Sequence, residues 1–153
     1  MNQRISFGKF ALFMLGFAGL LLISDVTIRA QSRLPRPELI FVEKKDYVLN
    51  GAEWTLYRLD VANKQDYPPE MFDPAPDLPA CGRNKNSSRT WIDIFAQNGR
   101  RLYGFCALKS PDELNQLAFQ VPKGTSLDYV YVVIHDRKLN KKWKSNLVST
   151  SEP

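Results

Sequence analysis

The chain has 153 residues, a formal charge of +5, and hydrophobic residues at 44% of positions. That length suits one ordinary domain with a real core, and the balance excludes a disordered or collagen-like chain. The small positive surplus does not support a nucleic-acid binder, because Arg100-Arg101 and Lys141-Lys142 stand where turns are expected and read as solvated turn residues.

The N-terminus combines basic Arg4 and Lys9 with 14 apolar residues from Phe10 to Ile23, then Ile28-Arg29-Ala30 as a cleavage-site pattern. This predicts a secretory signal peptide over residues 1–30, since a spanning helix needs about 20 apolar residues. Removing it takes away Arg4, Lys9, Arg29 and Asp25 and lowers the charge from +5 to +3. The expected location is extracytoplasmic, in the periplasm or the medium, with no stable membrane span after cleavage.

Residues 31–37, QSRLPRP, read as a short leader without periodicity, ahead of one domain over 38–153. Runs rich in β-branched and aromatic residues then follow at 38–44, 53–63, 89–96, 100–108, 117–122, 128–137 and 142–148, with a shorter one at 46–49 before Asn50-Gly51. One helical signal stands among them, at 110–117, where Ser110 is the cap, Pro111 opens the turn and Glu113 lies three residues past the cap. The fold class expected is therefore all-β, an antiparallel immunoglobulin-like sandwich of about seven strands with one short helical turn.

Between the second and third runs lies the proline-rich segment Tyr67 to Trp91, which contains Cys81. Cys81 and Cys106 are the only cysteines, so an oxidising compartment allows a single intramolecular bridge, closing 24 intervening residues. Asn98-Gly99 predicts a two-residue type I′ hairpin that faces Gln97 with Arg100, Phe95 with Leu102, Asp93 with Gly104 and Trp91 with Cys106. That register collects Trp91, Phe95, Leu102, Cys106 and Leu108 on one side of the sheet, an apolar patch that needs a cover. A Cys81–Cys106 bond would draw the proline-rich strap across it, with Leu78, Pro79, Met71 and Phe72 as packing residues.

Few residues suggest chemistry. His135 is the one histidine, no GxSxG elbow accompanies it, and it reads as a strand-edge residue with an ordinary partner. Asp66, Glu70, Asp73 and Asp77 could offer oxygens to a metal, but their spacing matches no calcium loop. Candidate binding residues are Arg83, Lys85 and Arg89, as anion ligands on the basic loop 82–89. Trp54 is another, in a platform with Tyr129 and Tyr131. Asn86-Ser87-Ser88 matches a glycosylation acceptor.

The blocks DLPACGRNKNSSRTW, RLYGFCAL and DYVYVVIHDR resemble a pattern found in small exported bacterial proteins of unknown function. That resemblance implies an exported immunoglobulin-like sandwich and carries over no activity, cofactor or catalytic residue. The expected function is a noncatalytic exported binding module for a protein, glycan or envelope component, with no cofactor. The alternative is a small extracytoplasmic hydrolase, metal-assisted through the acidic loop 66–77.

Overall fold

The computed structural model describes residues 34–80, 87–106, 110–115 and 117–151; the signal-peptide reading, Cys81, Arg83, Lys85, Asn86 and Leu108 lie outside them. Eight strands form two antiparallel sheets, and the only helical pieces among the described residues are three short 3₁₀ turns. The first sheet holds β1 (Leu39–Leu49), β2 (Ala52–Val61) and β5 (Leu117–Pro122), in the order β1-β2-β5. The second runs β4-β3-β6-β7, from β3 (Thr90–Ala96), β4 (Arg101–Cys106), β6 (Tyr129–Asp136) and β7 (Lys141–Lys144), with β8 (Val148–Ser149) also on β6. Among the described residues no helix is long and apolar enough to cross a membrane.

Period-two alternation buries one face of each sheet. In β2 the inward row is Thr55, Tyr57, Leu59 and Val61; β5 adds Leu117, Phe119 and Val121. From the second sheet come Ile92, Ile94 and Ala96 of β3 and Val130, Val132 and Ile134 of β6. Tyr57 and Phe119 stack with centroids 5.2 Å apart. Burying each large aliphatic of these rows contributes about 1.5–3 kcal/mol before the entropy of ordering it is subtracted.

The two asparagine–glycine pairs behave differently. Asn50 and Gly51 have φ of 52° and 79° between paired Leu49 and Ala52, the positive pair that a type I′ turn requires. Thus the run at 38–44 and the shorter one at 46–49 are one strand, with a register shift between Phe41 and Glu43. At Asn98-Gly99 the two-residue turn is corrected to a three-residue loop. Only Gly99 of the pair takes positive φ, Gly99 N–H donates to the Ala96 carbonyl, and Arg100 N–H donates to Asn98 Oδ1 at 3.0 Å. The expected pairs hold from Trp91–Cys106 to Ile94–Tyr103, then a bulge places Arg101, not Leu102, opposite Phe95.

Two further boundaries move because side chains replace ladder partners. The run at 142–148 splits into β7 and β8, since Ser145 Oγ accepts Val132 N–H and Asn146 turns its amide to both backbone groups of Leu39. The leader is also tied into the domain from its far end. Arg36 donates to the carbonyls of Lys144 and Ser145, and the Tyr67 hydroxyl donates to Pro35 O at 2.8 Å. Burial, with Asp66 and Glu38 nearby, pushes the Tyr67 phenol well above its ordinary range, so it stays a donor. The helical signal at 110–117 becomes a 3₁₀ turn, Pro111–Asn115, that buries Leu114.

The described part of the proline-rich strap closes one end of the core. Met71, Phe72 and Ala75 are buried, Thr90 Oγ1 donates to Met71 O, and Pro74 bridges Ser88. Asp136, fully buried, accepts Arg89 through Nε and Nη2, the latter at 2.7 Å, and also accepts the N–H groups of Lys138 and Leu139. Arg89 reaches Glu70 O, and Arg137 reaches Ser88 O and Pro79 O. The expectation that Met71 and Phe72 help Leu78 and Pro79 to cover the Trp91 face is corrected for Met71 and Phe72, which are buried at the end of the core. Thr90 and Asp136 belong to the inward rows, so the strap docks where those rows end.

Burial by itself raises the Asp136 pKa. The Arg89 hydrogen bonds, the Leu139 and Lys138 N–H groups and the Arg89 charge outweigh burial and hold the carboxylate below its ordinary value. A depressed folded-state pKa gives stability that is present above the unfolded value of about 3.9 and is lost as pH falls through the folded value. Chemical denaturation between pH 7 and 3 is expected to show this loss in the native chain and a weaker one in Asp136→Asn. Arg89→Met is expected to cost about 3–5 kcal/mol at pH 7, because it leaves a buried carboxylate without its partner. Equal stability of Arg89→Met and the native chain would remove the clamp from this account.

Candidate binding face

Alternation that turns Ile92 and Ile94 inward turns Trp91, Asp93 and Phe95 outward. Across the ladder these meet His135, Val133 and Tyr131 of β6, and beyond them Lys142 and Lys144 of β7. The side on which an apolar patch is expected therefore carries cations along both edges. The bulge after Ile94 is the cause on the β4 edge, since it brings Arg101 onto this face at the level of Phe95.

Arg101 lies in a bed shaped for it. Its Nε donates to Asp93 Oδ1 at 2.6 Å, the same oxygen accepts Trp91 Nε1–H at 2.7 Å, and its guanidinium carbon is 5.6 Å from the Trp91 ring centre. Gly104 opposite Asp93 supplies the space: a Cβ there would lie 1.9 Å from Arg101 Nη2 and 2.5 Å from Asp93 Oδ1. On the other edge Lys144 Nζ stands 3.9 Å from the centre of the Tyr131 ring, whose neighbour Phe95 stacks on it at 5.2 Å with planes 15° apart. Such cation–π contacts contribute about 0.5–1 kcal/mol each at exposed sites, enough to hold a long side chain in one place.

The other candidate residues are dispersed. Trp54 is half-buried on β2 and points outward from the first sheet, whereas Tyr131 points outward from the second, so the expected platform of Trp54, Tyr129 and Tyr131 does not assemble. The Arg89 guanidinium is occupied by Asp136 and Glu70 O, and Asp136 holds it more strongly protonated than usual. His135 differs from the ordinary partnered histidine expected: its Nε2 is buried and has no hydrogen-bond partner among the described residues. No three of His, Cys, Asp and Glu gather among the described residues where they could share a metal ion, so Asp66, Glu70, Asp73 and Asp77 do not converge. Cys106 is half-buried opposite Trp91, and no described cysteine is free.

Sequence reasoning placed Asp93 opposite Gly104 on this side of the sheet but missed Arg101 and Lys144 as members of the same surface. The available signal was Gly104 itself, a glycine inside a strand, which marks a bulge or a close approach by another group. No family model, curated protein or solved structure matches the chain.

Gly104→Ala tests the bed. The added methyl must displace the Arg101 guanidinium, so the Trp91 indole N–H and Arg101 Nε–H resonances are expected to shift, with global stability changed by about 1 kcal/mol or less. Unmoved resonances in the folded variant would show that Arg101 is not held there in solution.

Proposed function

We propose that the protein is an exported, noncatalytic interaction module on an immunoglobulin-like sandwich, acting outside the cytoplasm on a protein, glycan or envelope component. The strand orders β1-β2-β5 and β4-β3-β6-β7 support the immunoglobulin-like reading, since they follow the A-B-E and C′-C-F-G arrangement of such sandwiches. The comparison has a limit: Trp91, on the strand that stands for C, faces outward instead of packing on an inter-sheet disulfide. Export rests on the basic and apolar N-terminus, and the Cys81–Cys106 bond on there being only two cysteines in an oxidising compartment.

The observation that carries the function is the outward face of the second sheet. Half-exposed aromatics and two cations fixed on aromatic rings lie together on a rigid four-strand support. Functional surfaces held by regular elements are positioned more sharply than those on loops. The metal-assisted form of the hydrolase reading would need the acids of 66–77 to converge, and among the described residues no three such groups gather to share a metal ion.

Two measurements on protein purified after export test this. Mass spectrometry is expected to find Gln31 at the N-terminus and no titratable thiol, and reduction is expected to lower stability by about 3–4 kcal/mol through the lost loop constraint. Met1 at the N-terminus, or free thiols, would overturn the processing and the bridge respectively. Immobilised protein is expected to retain an envelope component that a Tyr131→Ser, Lys144→Glu variant loses and a Lys44→Gln, Lys45→Gln variant on β1 keeps. Turnover of an envelope polymer that His135→Ala abolishes would decide for the hydrolase instead.

A further inference from the structure

We infer that the face formed by β4-β3-β6-β7 docks an acidic surface of a protein partner, with Arg101 and Lys144 as charged anchors and the Phe95–Tyr131 pair as the apolar floor. This rests on the binding-module reading above and names the chemistry of the partner.

Charge is the first argument. The face carries Arg101, Lys142 and Lys144 against a single carboxylate, Asp93, and that carboxylate already accepts two hydrogen bonds from within the face. Asp93 fixes the Nε side of the Arg101 fork, and neither Nη has a hydrogen-bond partner among the described residues, while the side chain is 51% exposed. The two cationic edges are three strand spacings apart, about 14 Å, so a complementary surface must present carboxylates at both margins. Holding both cations on aromatic rings reduces the side-chain entropy lost on binding.

Ring orientation decides between classes of polyanion. Phe95 and Tyr131 are on neighbouring strands, and their rings are nearly parallel at 5.2 Å, so their faces meet across the strand gap and their edges point away from the sheet. Lys144 occupies the remaining face of Tyr131, and Arg101 covers Trp91. Sugar rings and nucleobases dock by stacking on free aromatic faces, and the Tyr131 ring at the centre of this surface has both of its faces occupied. The outward positions of β3, β6 and β7 also contain no Asn, Gln, Ser or Thr, the neutral side chains suited to sugar hydroxyls. Aromatic residues with arginine and little neutral polarity are instead the composition of protein–protein hot spots. Four short strands make a small patch, so the complex is weak and salt-sensitive.

The test uses polyglutamate as the acidic peptide, polygalacturonate as an acidic sugar polymer, and phosphatidylcholine vesicles containing phosphatidylglycerol. Polyglutamate is expected to move the Trp91 indole N–H and Arg101 Nε–H resonances of the exported protein, with affinity that falls as salt rises. Arg101→Gln, Lys144→Gln is expected to weaken it about ten-fold, while Lys44→Gln, Lys45→Gln, an equal charge change on exposed β1, leaves it unchanged. Thermal melting confirms that both variants fold. Equal weakening by the β1 pair would reduce the effect to net charge and overturn the inference. Polygalacturonate or the vesicles binding at this face when polyglutamate does not would overturn the partner class and leave the binding-module reading standing. Silence of these resonances toward all three probes would remove the face, and that reading with it.

Discussion

The rest of the domain depends on the ion pair between Arg89 and Asp136. Asp136 ends the inward row of β6, where a bare carboxylate could not remain charged, and Arg89 sits one residue before β3 begins. Their bidentate bond, with two backbone N–H groups on the same carboxylate, joins the start of one central strand to the end of its neighbour. The strap then hangs from this point: Glu70 O on Arg89, Met71 O on Thr90, and Pro79 O on Arg137. Buried pairs add little net energy over an apolar substitute, but they are costly to break from one side, so this one sets where the strap docks more than how stable the core is.

A second constraint shapes the surface. In a regular hairpin Leu102 would lie opposite Phe95 and the outward face would be greasy. One extra residue in the ladder substitutes Arg101, and the missing side chain of Gly104 gives its guanidinium a place to lie. Backbone geometry thereby converts an apolar stripe into an aromatic surface edged with positive charge. The same bulge that completes the hairpin supplies the cation on the β4 edge, and period-two alternation in β7 supplies Lys142 and Lys144 on the other.

Much was legible from the chain. The strand runs, the inward rows of β2 and β3, the turn at Asn50-Gly51, the turn at Pro111 and most of the β3–β4 register follow from period two and turn chemistry. Asn98-Gly99 misled for a specific reason. The Asn98 side chain satisfies Arg100 N–H and so stabilises a longer loop in which only Gly99 needs positive φ. Arg89 resembled an anion ligand because its acidic partner lies 47 positions away, on a strand whose pairing local sequence does not reveal.

By itself, then, the sequence determined the all-β class, the strand positions, which face of β2 and β3 is inward, and the two cysteines available for a bridge. These are properties of neighbouring residues, and alternation or turn preference expresses them within a few positions. Only the tertiary structure decided that Trp54 and Tyr131 lie on different sheets, that Arg89 closes on Asp136, and that Arg101 and Lys144 border one face. Each of these depends on which strands become neighbours, and strand pairing is set by the burial of the whole core, which no local run of residues encodes.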